Sequence, residues 1–195
     1  MRNLTFFIAL LLFGCQSTTE KTSKEKPKFD YYAQGKVITS LAQAELQKNL
    51  KKAMKEGGPV HAIEFCNINA THLTDSVSNI FDVEVQRISL KNRNLNNAAI
   101  GPKEKILLNN FLESSLESTG LRDTLIAFEG KLLYYRPIMI GMEACLKCHG
   151  QKGKNIDNET IIALNKLYPK DKATNYRMGE FRGVWKVTFS NLENN

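Results

Sequence analysis

Cys145-Leu146-Lys147-Cys148-His149 restricts this chain more than any other stretch. Two thiols three residues apart, with an imidazole directly behind the second, form the C-x-x-C-H pattern at which c-type haem is attached. There both thiols add to haem vinyl groups as thioethers, and the histidine reaches the iron. A CxxC pair alone would serve equally as a redox disulfide or as half of a zinc site. The disulfide reading expects a βαβ setting, and none is legible. The zinc reading needs two of His61, His72, His149 and Cys66, without a second paired spacing. The adjoining histidine favours haem: Cys145 and Cys148 as the covalent attachment points of one haem c, and His149 as an iron ligand. The fold must therefore enclose a porphyrin.

The beginning of the chain reads as an address. Met1-Arg2-Asn3 is a short positive start, and Leu4 to Phe13 is an apolar run of signal-peptide length, too short to span a bilayer. Leu12-Phe13-Gly14-Cys15 resembles the lipobox of bacterial lipoproteins. That resemblance implies a signal peptide over residues 1–14 and a lipid-modified Cys15 as the first mature residue. Residues 15–32 are then a flexible tether, rich in Ser, Thr, Lys and Glu, ahead of a domain over 33–190. The expected partner is the bacterial membrane, with the protein exported and facing the periplasm or cell surface. Of the four cysteines, three remain after Cys15, so they cannot all pair within the chain. A net charge of +7 raises the question of nucleic acid. Lys21, Lys24, Lys26 and Lys28 lie in the tether, however, and elsewhere lysines alternate with acids. Without a compact basic cluster with interleaved aromatics, no nucleic-acid partner is expected.

The second axial position has several candidates: Cys66, His61, His72, Met54, Met139, Met142 and Met178. Gly57-Gly58 ends one helix, and Pro59 opens another that the spacing carries to Val77. Ile63, Cys66, Ala70, Leu73 and Val77 share its apolar stripe. At ~100° per residue, His61 and His72 stand roughly 140° and 120° from Cys66. Most buried free cysteines are simply small hydrophobes, and both histidines read first as boundary residues.

Elsewhere the pattern predicts a helix capped by Ser40 and running to Glu56, with Leu41, Leu46, Leu50 and Met54 on its inner side. A strand over Val83 to Arg87, a helix over Pro102 to Glu117 and a hairpin turning at Glu129-Gly130-Lys131 follow. A helix over Asn158 to Leu167 and a strand over Gly183 to Phe189 complete the chain. Helices first and antiparallel strands later give an α+β class. Tyr31-Tyr32 and Tyr134-Tyr135 read as core or interface. Arg87 and Arg93 are candidates for the haem propionates, since guanidinium and carboxylate pair bidentately.

Four segments carry a further resemblance: Gly58-Pro59-Val60-His61-Ala62-Ile63-Glu64-Phe65-Cys66-Asn67-Ile68-Asn69-Ala70; Arg87-Ile88-Ser89-Leu90-Lys91-Asn92-Arg93-Asn94 with Asn97; Tyr135-Arg136-Pro137-Ile138 leading to Cys145-Leu146-Lys147-Cys148-His149-Gly150; and Gly179-Glu180-Phe181-Arg182-Gly183-Val184-Trp185-Lys186-Val187. In this order they resemble a single-haem c-type family long catalogued as a domain of unknown function. Leu95 and Ala99 stand where that family usually has prolines. The resemblance implies a PAS-like fold of an antiparallel sheet flanked by N-terminal helices. It also implies Cys66 as the second axial ligand opposite His149, and a sensor role of the kind the family plays ahead of bacterial signalling kinases. The expected function is a redox-responsive or gas-responsive haem sensor module with a separate redox or signalling partner; a simple periplasmic one-electron carrier is the alternative. An enzyme is not expected, because catalysis needs an open iron position with acid–base groups beside it.

Overall fold

The computed structural model describes residues 29–117 and 120–192, so the leader, Cys15 and the tether up to residue 28 lie outside the described residues. Helix α1 (Tyr31–Phe81) opens the fold. Asp30 starts it by accepting a hydrogen bond from the Ala33 N–H at 2.9 Å, which satisfies one of the free donors of a helix start. The helix thus begins well before Ser40, the expected cap, and two residues inside the stretch expected as tether. Ser40 lies mid-helix, and its hydroxyl donates back to the Lys36 carbonyl at 2.7 Å. The inward stripe also differs from the expected one. Gly35, Ile38, Ala42 and Ala53 are buried, whereas Leu41 remains 48% exposed. Small residues let this helix settle close on the sheet: a Cβ on Gly35 would lie 2.4 Å from Tyr134 Cγ.

Gly57 and Gly58 leave helical geometry, with φ −154° and +70°. Only the second is a left-handed value, where glycine carries no Cβ penalty. Pro59 follows where its missing N–H is not needed. The break falls where the sequence places it, and α1 is in effect two helices over residues 31–56 and 59–81. Asp82, at φ 50°, ends the second and donates its N–H to the Ser78 carbonyl.

After α1 come β1 (Glu84–Ile88), the single 3-10 turn Leu95–Asn97, α2 (Pro102–Leu116), β2 (Thr124–Phe128), β3 (Lys131–Met139), α3 (Glu143–His149), α4 (Asn158–Leu167) and β4 (Phe181–Phe189). The strands pair antiparallel in the order β1-β4-β3-β2. This is the α+β arrangement, with leading helices on an antiparallel sheet, that the PAS-like resemblance implies. Because β3 and β4 are neighbours, the long connection between them leaves and re-enters the middle of the sheet. It is pinched shut at its base, where Ile140 N–H donates to the Glu180 carbonyl and Gly179 N–H to the Ile140 carbonyl, both at 2.9 Å. The C-x-x-C-H segment rides on this connection.

Each sheet face has its own cover. Ile38, Ala42 and Val77 of α1 pack on Tyr134, Trp185 and Val187. Leu108 and Phe111 of α2 pack on Ile88, Tyr135 and Val184 behind. Full burial of such side chains stabilises by about 1.5–3 kcal/mol each. Two large polar rings of the core find partners: Trp185 Nε1 donates to Gln43 Oε1 at 2.8 Å, and the Tyr134 hydroxyl donates to Asp123. Tyr134 and Tyr135 are thus core residues on opposite faces. Among the described residues no helix is long and apolar enough to cross a membrane.

Gly35→Ala forces the new methyl into the Tyr134 ring, so it should destabilise by about 1–3 kcal/mol despite alanine's better helix propensity. Gly141→Ala, whose nearest neighbour atom would be 4.0 Å away, should be close to neutral. Denaturant unfolding of the two variants checks the contrast, and equal midpoints would contradict the packing described.

Candidate functional site

Helix α3 is two turns long, and its last residue is His149. The Cys145 and Cys148 thiols, three residues apart, lie along one side of it, and Leu146 anchors the helix in the apolar cluster of Ile140, Ala173 and Tyr176. Gly150 allows the chain to turn away at once, because a Cβ there would sit 2.7 Å from the Leu146 carbonyl. The turn lets a second strand of chain, residues 171–176, run alongside the helix end. Asn175 N–H donates to the Gly150 carbonyl and Tyr176 N–H to the His149 carbonyl, both at 2.9 Å.

This contact decides the state of the imidazole. His149 Nδ1 is 2.8 Å from the Ala173 carbonyl. A carbonyl only accepts, so Nδ1 carries the hydrogen and Nε2 is left with its lone pair. Half-buried by surface area, the ring is still hemmed in by protein, and desolvation holds its pKa well below the ordinary histidine value. The charges of Arg93, Arg182 and Arg87 push the same way. Tyr176 meets the ring edge-on at a centroid distance of 6.2 Å. A neutral, Nδ1-protonated imidazole with a free Nε2 is the form in which histidine binds metals.

Arg93 holds the surroundings in place. Its Nη2 donates to the Cys148 carbonyl at 2.5 Å, the Ala173 carbonyl at 3.2 Å and Asp171 Oδ2 at 3.1 Å, and its Nε donates to the same carboxylate oxygen at 3.3 Å. Arg93, expected as a propionate partner, is engaged here by α3 and the 171–173 loop. Arg87 lies elsewhere: its guanidinium sits 5.6 Å over the Trp185 ring and, among the described residues, has no hydrogen-bond partner. Burial lowers its pKa, partly offset by Cys66 and Tyr168. Arg182 donates to Ser89 Oγ at 2.7 Å and the Lys91 carbonyl at 2.9 Å, steadying the segment that leads to Arg93.

Cys66 lies on the second half of α1, three residues beyond Ile63. Ile63 belongs to an apolar cluster with Leu164 of α4, against which Cys148 packs. Burial pushes the Cys66 thiol up, against the lowering pull of Arg87 and Arg93. Cys66 is near enough that its thiolate would disfavour that of Cys148. The remaining candidates are placed differently. His61 is exposed and 3.8 Å from Glu56, and His72 is also exposed. Met142 and Met178 are exposed, and Met139 packs on the α2 side of the sheet. Met54 lies on the half of α1 before the break.

The sequence reasoning did not single out Ala173, Asp171, Tyr168 or Tyr176 as site residues. Ala173 acts through its backbone carbonyl, which leaves no mark in the side-chain pattern. Arg182 lies in the Gly179–Val187 segment, where its sequence position alone assigns it no role.

Among known proteins, the family described as Tll0287-like: Tll0287 matches residues 17–190. The crystal structure of the cyanobacterial heme-protein Tll0287 aligns with a TM-score of 0.61 and 22% sequence identity, over 86% of this chain and 100% of that one. At that identity the likeness shows the fold alone. No curated protein matches.

Burial pushes the Cys148 thiol up to about 11, with Arg93 opposing. Since the thiolate is the nucleophile, alkylation of Cys148 in chain lacking an attached cofactor should keep accelerating from pH 9 towards pH 11. Iodoacetamide labelling read by peptide mass spectrometry checks this; a rate that levels off near pH 9 would contradict it.

Proposed function

The chain belongs to the Tll0287-like family, and on that premise we propose that it is a haem-binding redox protein, with one haem held covalently by Cys145 and Cys148. His149 and Cys66 are its axial ligands. The observation that carries this reading is the Nδ1 hydrogen bond to Ala173, which reserves Nε2 of the C-x-x-C-H histidine for a metal. The donor set fits the group: two unpaired thiols on the helix that ends at that imidazole, and a third free thiol on the facing element. Arg87, stacked over Trp185 and without a hydrogen-bond partner among the described residues, supplies a guanidinium suited to carboxylates. Bound there, the haem supplies one-electron chemistry. The protein orients the imidazole, shields it from water and surrounds it with the charges of Arg87, Arg93 and Arg182.

The reading favoured here is a sensor module responsive to redox state or to a gas. Cys66 stands on the helix half beyond the Gly57–Gly58 break, and Val77 and Phe81 of that same half pack against the sheet. A change at Cys66 would therefore be passed along this half of the helix to the sheet. The one-electron-carrier alternative draws on the opposite side of the site, where Arg93 and the 171–176 segment hold His149 with little freedom. The proposal includes export and lipid anchoring at Cys15, so the haem faces the periplasm or cell surface beside a redox or signalling protein, with no nucleic acid involved.

Acid–acetone extraction should leave the colour with the protein; a colourless pellet would refute covalent attachment. Cys66→Ala should shift the ferric Soret band and raise the reduction potential, because a thiolate offsets the extra charge of ferric iron. A variant with wild-type spectrum and potential would return Cys66 to a packing role. Loss of Cys66 on reduction, seen as carbon monoxide binding to the ferrous protein, separates the sensor from the carrier. Cys15→Ser should release the protein from membranes.

A further inference from the structure

We propose that Arg93 is a positioning residue that sets the electron-donating strength of His149, through the Ala173 carbonyl that both side chains share. The inference rests on the haem reading above. The Ala173 oxygen has two lone pairs and two donors, His149 Nδ1 at 2.8 Å and Arg93 Nη2 at 3.2 Å. The two donors compete for the electron density of one oxygen. A strong acceptor behind a ligating imidazole draws on its N–H, makes the ring more basic and tunes the metal. A carbonyl already polarised by a guanidinium draws less. Arg93 therefore weakens the push from behind His149, and its own positive charge disfavours the ferric state as well.

Asp171 works in the opposite direction. Its Oδ2 takes Arg93 Nη2 and Nε, and its Oδ1 accepts the Ala173 N–H at 2.7 Å. The carboxylate thus holds the guanidinium and the peptide that presents the shared carbonyl, and it neutralises part of the charge. Both side chains are nearly enclosed, Arg93 at 13% and Asp171 at 9% exposure, so solvent screens the pair poorly. Other cations near the ring are Arg182 and Arg87, with Lys91 over Tyr176, the aromatic ring that meets His149 edge-on. Among the described residues only Arg93 shares the carbonyl that His149 uses.

The test uses the full-length holoprotein and three variants, with the midpoint potential read by spectroelectrochemistry. Arg93→Gln removes a cation and frees the carbonyl for His149. It should lower the potential enough to raise the ferric-to-ferrous ratio, at the wild-type midpoint, by about tenfold. Asp171→Asn keeps the Oδ1 acceptor but leaves Arg93 unneutralised, and should raise the potential. Arg93→Lys restores charge without the planar fork and should recover part of the shift. A merely structural loosening of His149 would move both loss variants in the same direction. Shifts of the same sign, or no shift in either, overturn the proposal. If Arg93→Gln fails to fold, Asp171→Asn alone decides: an unchanged or lowered potential overturns it. A wild-type protein with no covalent haem overturns the haem reading and this inference together. A haem-bearing protein whose potential ignores both positions overturns this inference alone.

Discussion

The carbonyl of Ala173 is where the fold and the site depend on each other. By accepting from His149 Nδ1 it fixes which ring nitrogen is free and in which direction it points. That carbonyl belongs to neither a strand nor a long helix, so it needs support. The support comes from three consecutive residues, 91–93, far from it in sequence. Lys172 N–H donates to the Asn92 carbonyl at 3.0 Å, Lys91 Nζ to the Thr174 carbonyl at 2.8 Å, and Arg93 spans Cys148, Asp171 and Ala173. Removing one partner of an enclosed ion pair such as Arg93–Asp171 costs about 3–5 kcal/mol, because the other charge is left stranded. The segment after β1 therefore acts as a clamp, closing the β3–β4 connection over the end of α3.

From that clamp the logic runs outward in two directions. Towards the sheet, Arg182 of β4 ties Ser89 and Lys91 together, so the clamp is referenced to a central strand. Towards α1, the cluster of Ile63, Cys148 and Leu164 joins α3 and α4 to the helix half that carries Cys66. One side of the site is thus held by hydrogen bonds and the other by apolar packing on the helix half that follows the two glycines. Hydrogen bonds fix direction, whereas apolar packing is non-directional.

Much of this was legible beforehand, and the reasons differ by feature. The C-x-x-C-H motif, the Gly57–Gly58–Pro59 break, the Glu129–Gly130 hairpin and the 158–167 helix rest on local chemistry, which a sequence displays directly. The family resemblance, resting on four separated segments, agrees with the match over residues 17–190. The start of α1 is not legible because its cap is Asp30 and its inner face leans on Gly35, Ile38 and Ala42, with the expected Leu46 packing beside them. Close approach to Tyr134 selects small residues there, and an apolar-stripe argument overlooks them. The partners of Arg93 are not legible for a related reason. Sequence offers it as a propionate candidate, whereas the carbonyl at 148 and the carboxylate at 171 come beside it only through the fold.

Pulsed electron paramagnetic resonance of the ferric holoprotein tests the central claim most directly. The account predicts one histidine on the iron, its remote nitrogen protonated and its hydrogen slow to exchange with deuterium, since that hydrogen lies in the His149–Ala173 bond. That signature should vanish in a protein carrying His149→Met. An iron without a histidine nitrogen, or a remote nitrogen whose proton exchanges as freely as that of exposed imidazole, would contradict it.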